Sequence, residues 1–155
     1  MRKENRNEKF RRLAEKRMSR VFVNMDLLNN LTNQQRYDYS ESEIEELFEA
    51  YQKKGNEIKQ YFSGNPPENK PIEYEFEFLE RNVELNKKNI DFKRIAESRM
   101  SRIFKDMNLI ANLSTKTNYT YSESEINELF QAYFEKGIGS KERFMPRAQF
   151  RFSLK

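Results

Sequence analysis

The residues best suited to chemistry in this chain are arginines that recur in one pattern. Arg17-Met18-Ser19-Arg20 returns as Arg99-Met100-Ser101-Arg102. Side chains three apart share a helix face, so each pattern presents two guanidinium groups together, which suit phosphate oxygens, with the serine hydroxyl nearby as an aid. Arg12 and Lys16 extend the first face and Arg94 the second. Arg12, Lys16, Arg17, Arg20, Arg94, Arg99 and Arg102 are therefore the candidate nucleic-acid contacts. The competing reading is an internal one, in which Arg17 and Arg20 pair with Glu43 or Glu46 of a neighbouring acidic helix. A denser cluster, Arg2, Lys3, Arg6, Lys9 and Arg11, precedes the first face. It is asymmetric, because Leu85 and Asp91 stand in place of Lys3 and Lys9, and that favours one irregular partner over a symmetric palindrome. Tyr37, Tyr39, Tyr119 and Tyr121 either stack on bases or bury their rings at a helix entry.

Other chemistry is excluded by composition. With no histidine and no cysteine, the chain lacks imidazole acid/base work, thiolate nucleophiles, disulfides and nitrogen or sulfur metal ligands. Ser19, Arg17, Arg20 and Tyr39 suggest the parts of a phosphoryl-transfer site, yet no activating base accompanies them. We expect no enzyme, no catalytic residue, no metal and no cofactor. The N-terminus is charged, and no apolar run approaches the roughly 18 residues of a membrane span. The expectation is a soluble, cytoplasmic protein without membrane contact.

The elements that position these residues come as a duplication. Residues 10–55 match residues 92–137 without a gap at 27 of 46 positions, so a repeated unit underlies the fold. Charge is ordered along it: residues 1–36 carry +6, 37–86 carry −8, 87–120 carry +5, 121–136 carry −3 and 137–155 carry +4. The first helix of each copy is basic and the second acidic. Phe10, Leu13, Ala14, Met18, Val21, Phe22, Met25 and Leu28 follow helical spacing, as do Phe92, Ile95, Ala96, Met100, Ile103, Phe104, Met107 and Ile110. We place N-caps at Asn7 and Asn89, left-handed ends at Asn30 and Asn112, and about 20 residues between. Ser40 with Glu43, and Ser122 with Glu125, form capping boxes that start the second helices, with Tyr39–Ile44 and Tyr121–Ile126 as staples. Gly55 and Gly137 end them.

Beyond the Pro-rich loop 63–71 the period becomes two. Ile72, Tyr74, Phe76 and Phe78 alternate with glutamates, and Ala148, Phe150, Phe152 and Leu154 alternate with Arg147, Gln149, Arg151 and Ser153. The two segments read as an antiparallel ribbon with opposite charges on its wet face.

The pattern F-[RK]-R-[LI]-A-E-x-R-M-S-R, then N-L-[ST], then Y-x-Y-S-E, resembles a family of short, largely uncharacterised helical proteins of bacterial mobile elements and phages. The resemblance covers residues 7–62 and 89–144 and implies a setting in plasmids or phages. This chain departs from it in fusing two units and adding strand segments.

The expected fold is mainly α: two tandem helical-hairpin repeats with pseudo-twofold symmetry plus a two-stranded antiparallel ribbon from 72–78 and 147–154. Its units are a first hairpin at 1–62, a linker, strand and connector at 63–88, a second hairpin at 89–144 and a C-terminal strand at 145–155, in one compact body. The expected function is a non-enzymatic binding protein of a phage or mobile element that engages nucleic acid or a nucleoprotein complex through its basic helices. The alternative is a stoichiometric inhibitor or adaptor, such as an anti-CRISPR protein acting on a host defence protein, through the acidic helices or strand addition at the ribbon edge.

Overall fold

The computed structural model describes residues 2–71, 73–79, 86–145 and 152. Four helices run in chain order: α1 Arg6–Asn29, α2 Glu41–Lys59, α3 Lys87–Ala111 and α4 Glu123–Phe144. Short 3-10 turns follow α1, α2 and α3. The capping boxes at Ser40 and Ser122 form as the sequence predicts: each hydroxyl accepts from the amide three residues on at 3.1 Å, and each glutamate accepts the cap amide at 2.8 Å.

The other predicted boundaries shift. Asn5 caps α1 in a third capping box with Glu8, and Asn86 caps α3. The expected caps, Asn7 and Asn89, instead reach across the molecule: Asn7 donates to Glu125 at 3.0 Å and Asn89 to Glu43 at 3.1 Å. Asn30 and Asn112 remain right-handed at φ −64° and −63°, because the chain tightens into a 3-10 turn instead of reversing. Gly55 and Gly137 lie inside α2 and α4 and end neither.

The reason for those glycines is the contact at the centre of the fold. Tyr51 of α2 and Tyr133 of α4 stack at 4.0 Å and 9°, and each hydroxyl donates to the other's carbonyl, at 2.7 and 2.6 Å. A Cβ on Gly55 would lie 2.8 Å from carbons of both Tyr133 and Phe134, and one on Gly137 would overlap the Tyr51 ring, 2.7 Å from its Cδ2 and nearer still to Cε2. Only glycine lets these backbones approach the stacked rings.

The helices of one copy do not form a hairpin. α1 packs against α3 and α4, and α2 packs against α3 and α4, while α1 and α2 make at most marginal contact, as do α3 and α4. The two copies interlace, each supplying the apolar surface that the other lacks. Aromatic contacts repeat across the molecule with near-equal geometry: Phe62 lies 5.2 Å from Tyr121 and 5.8 Å from Phe130, and Phe144 lies 5.3 Å from Tyr39 and 5.8 Å from Phe48.

The expected β ribbon is absent: no strand occurs among the described residues. Its second segment, 147–154, lies outside the described residues except for Phe152. The first segment alternates over its second half, with Phe76 and Phe78 buried and Glu75 and Glu77 exposed, while Tyr74 is exposed with Glu73, and it lies as an unladdered strap in the groove between α2 and α3. Side chains take the place of a partner strand. Phe76 N donates to Ser101 Oγ at 2.9 Å, Phe78 N to Glu97 at 2.9 Å and Leu79 N to Glu46 at 2.5 Å. The Glu73 carbonyl accepts from Lys54 and Asn108, both at 3.0 Å. With its polar backbone satisfied in this way, the strap needs no ladder, and strand addition at a ribbon edge loses its basis.

Candidate nucleic-acid interface

The basic helices end up side by side. α1 and α3 run antiparallel, since Arg6 meets the carbonyl of Lys116 at 3.1 Å, Arg17 that of Leu109 at 2.7 Å, and Arg20 the carboxylate of Asp106 at 3.1 Å. Each of the two helices carries seven cationic and three anionic residues. The acidic pair is α2, with six anionic against three cationic residues, and α4, with five against three. Because α2 packs on α4 and α1 on α3, the molecule is charged in layers, basic on one side and acidic on the other.

The seven candidate residues occupy this basic layer in different states. Arg12 is exposed and held in a two-pronged pair with Glu4, at 2.9 and 3.1 Å. Arg17 is half-buried, its guanidinium on the last turn of α3, where a cation meets free carbonyls at the negative end of a helix. Burial lowers its pKa from the ordinary arginine value. Arg20 pairs with Asp106, whose carboxyl burial pushes up against the pull of Arg20. Arg94 lies 3.7 Å from Asp91. Lys16, Arg99 and Arg102 make no hydrogen bond or ion pair among the described residues. None of the seven meets Glu43 or Glu46, so the expected internal pairing with the acidic helix of the same copy does not form.

Other groups take those carboxylates. Glu43 is buried, which alone would raise its pKa, but the Ser40 amide, Asn89 and Lys93 at 3.1 Å outweigh that and hold it below the ordinary carboxylate value. Its counterpart Glu125 is held low in the same way by the Ser122 amide, Arg11 and Asn7. Arg11 is thereby withdrawn from the N-terminal cluster, and Arg2 is paired with Glu8 at 2.6 Å.

The twofold relation breaks at one informative point. Asp106, the partner of Arg20, corresponds to Asn24, which would face Arg102. Asn24 donates to the Arg20 carbonyl at 3.1 Å, and its Oδ1 is buried without a partner among the described residues. Arg102 accordingly keeps its charge uncompensated where Arg20 does not.

The tyrosines are structural. Tyr39 packs on Phe92 at 5.2 Å and Tyr121 on Phe10 at 5.2 Å, each against the first helix of the other copy. Tyr119 lies half-buried beneath the Lys9 ammonium at 5.7 Å. Lys105 is a basic-layer residue that the repeated pattern passes over. It is exposed on α3 three residues after Arg102, and that helical spacing was its signal. No group of three or more metal-ligating side chains occurs among the described residues. No helix among them is long and apolar enough to cross a membrane.

Comparison with known proteins places the chain in no group: no family model, no curated protein and no solved structure matches it.

Proposed function

We propose that this is a non-enzymatic binding protein that engages the phosphate backbone of nucleic acid, alone or within a nucleoprotein complex, through the α1–α3 layer. The observation that carries the reading is the lateral pairing of the two basic helices with Lys16, Arg99 and Arg102 left unneutralised, while the acidic helices face the opposite side. Charge of one sign gathered on one face raises the local potential and attracts a polyanion. The layer is also long enough. Arg12 lies eight residues to one side of the Arg20–Asp106 crossing and Arg94 twelve residues to the other. At about 1.5 Å per residue the cations span about 30 Å, close to the ~34 Å turn of a duplex. The setting in a phage or mobile element rests on the motif resemblance.

The test is fluorescence anisotropy with labelled DNA and RNA duplexes and single strands across a salt series. The variant carries Lys16→Glu, Arg102→Glu and Lys105→Glu, all at exposed positions. We expect binding that weakens with salt and, in the variant, a fall of at least about tenfold with the salt slope reduced by about 2 to 3. Binding that ignores salt, or that survives the triple substitution unchanged, refutes the proposal.

A further inference from the structure

The strap at 73–79 lies in one of two equivalent grooves. The spacing of 82 that relates Tyr51 to Tyr133 carries the residues that hold the strap, Ser101, Glu97, Glu46, Lys54 and Asn108, to Ser19, Glu15, Glu128, Lys136 and Asp26. Four of the five residue types are retained and the fifth changes from Asn to Asp. These counterparts line the groove between α1 and α4. The ring of Phe22 lies 5.4 Å below the Lys136 ammonium there, as Phe104 lies 5.2 Å below Lys54 in the first groove.

Among the described residues nothing fills the second groove. Ser19, Glu15 and Glu128 are exposed and hydrogen-bond to nothing among the described residues, although their counterparts accept the three strap amides. Leu129 and Phe22 are half-buried, whereas Leu47 and Phe104 beneath the strap are 0% and 1% exposed. A cavity of about 150 Å3 lies between Phe10, Arg11, Ala14, Glu15, Glu128 and Leu129. It corresponds to the place where Phe78 packs 6.0 Å from Phe92, the counterpart of Phe10.

We infer that the α1–α4 groove is a docking site for the chain's own C-terminal segment, 147–154, which would lie in it as the strap lies in the α2–α3 groove. Three observations select this occupant. The segment follows Phe144 as the strap follows Phe62, and these two phenylalanines hold equivalent places, 5.8 Å from Phe48 and from Phe130. It carries the same alternation, Phe150, Phe152 and Leu154 standing for Tyr74, Phe76 and Phe78. Its charge is also inverted together with that of the groove. The strap's wet face is glutamate, and the helices beside it carry Lys53, Lys105 and Asn108. The C-terminal segment has Arg147 and Arg151, and the corresponding groove positions are Glu135, Val23 and Asp26, the last of them sharing its charge with Lys136 at 2.7 Å.

The chain is long enough to reach. Ten residues from Phe144 to Leu154 extend about 33 Å, against about 24 Å back along α4 from Phe144 to Glu128, which leaves length for a turn. Phe152 is 85% exposed, and docking would remove that aromatic surface from water.

The absence of cysteine makes the test direct in the full chain. A nitroxide is attached at Lys155→Cys, and amide broadening is compared between residues 15–26 and 128–136 and their counterparts 97–108 and 46–54. We expect broadening at least several-fold greater in the first set, lost on Phe152→Ser and on Glu15→Lys with Glu128→Lys. Equal broadening of the two sets, or no response to either substitution, overturns the inference. So does broadening that appears only when the nitroxide is on a separate, unlabelled-nitrogen copy, since the occupant is then a second molecule.

Discussion

Replacing Gly55 by alanine puts the central crossing of α2 and α4 to a quantitative test. In an open helix this change stabilises by up to about 1 kcal/mol, because glycine is the poorer helix former. At Gly55 the added Cβ would lie 2.8 Å from carbons of Tyr133 and of Phe134, about 1 Å inside the preferred carbon–carbon separation. The Tyr133 ring cannot slide away without breaking its stack with Tyr51 and two buried hydrogen bonds, so the helices must part. Overpacking of this kind costs typically 1–3 kcal/mol, and we expect a net loss of about 2 kcal/mol, or a melting temperature lower by roughly 4–8 °C for a chain of this size.

Gly139 supplies the control, since it lies in the same helix as Gly137 and an added Cβ meets no atom within 4 Å. Gly139→Ala is expected to stabilise by up to about 1 kcal/mol. The double variant Gly55→Ala, Gly137→Ala is expected to lose less than the sum of its parts, because both substitutions open one shared contact. Urea and thermal unfolding followed by circular dichroism measure the native chain, the three single variants Gly55→Ala, Gly137→Ala and Gly139→Ala, and the double variant. If Gly55→Ala stabilises as Gly139→Ala does, the stacked crossing is not where the structure puts it.

Asn24→Asp restores an anion opposite Arg102, in the image of Asp106 and Arg20. Nucleic-acid binding by anisotropy should weaken and its salt slope fall by about 1; an unaltered slope would remove Arg102 from the interface. Glu43 and Glu125 both have lowered pKa values in the folded protein, so their contribution to stability is present above the unfolded value near 4.3 and is lost as pH falls through the lower folded values. The double variant Glu43→Gln, Glu125→Gln should therefore lose less stability than the native chain between about pH 5 and pH 3, read as urea midpoints against pH, and parallel curves would show that these carboxylates are not held low.

What the sequence disclosed was local, and what it hid was between elements. The boxes at Ser40 and Ser122 were legible because cap and partner lie three residues apart. The starts of α1 and α3 were missed although Asn5 with Glu8 offered the same signal two residues before Asn7. Gly55 after Lys53 and Lys54 has the composition of a helix end, and only the ring of Tyr133, 78 positions further along the chain, explains it as an interior residue. Periodicity showed which faces of the helices are apolar but not which helix covers them, so interlacing was invisible. Alternation correctly marked Phe76 and Phe78 as the buried face of an extended segment, although Tyr74 of the same period is exposed, and it says nothing about whether a backbone or the side chains of Ser101, Glu97 and Glu46 will bind its amides. The candidate cations were readable by type and spacing, whereas their neutralisation by Glu4, Asp106 and Asp91 was not.

The interlaced packing of α1 and α2 against α3 and α4 governs how the polypeptide matures during synthesis. When residue 62 leaves the ribosome, neither of its completed helices has a mate, and nothing made so far can close an interior. The first mate for α1 arrives with α3, which is complete at Ala111, the core closes only with α4, complete at Phe144, and the contacts between helices join positions far apart in order, a topology that slows folding. A single ancestral unit would have faced the same requirement and could mature only by finding a second molecule. Cutting the connector at 63–71 should accordingly release two pieces that are each unstructured in isolation and regain helicity together on mixing.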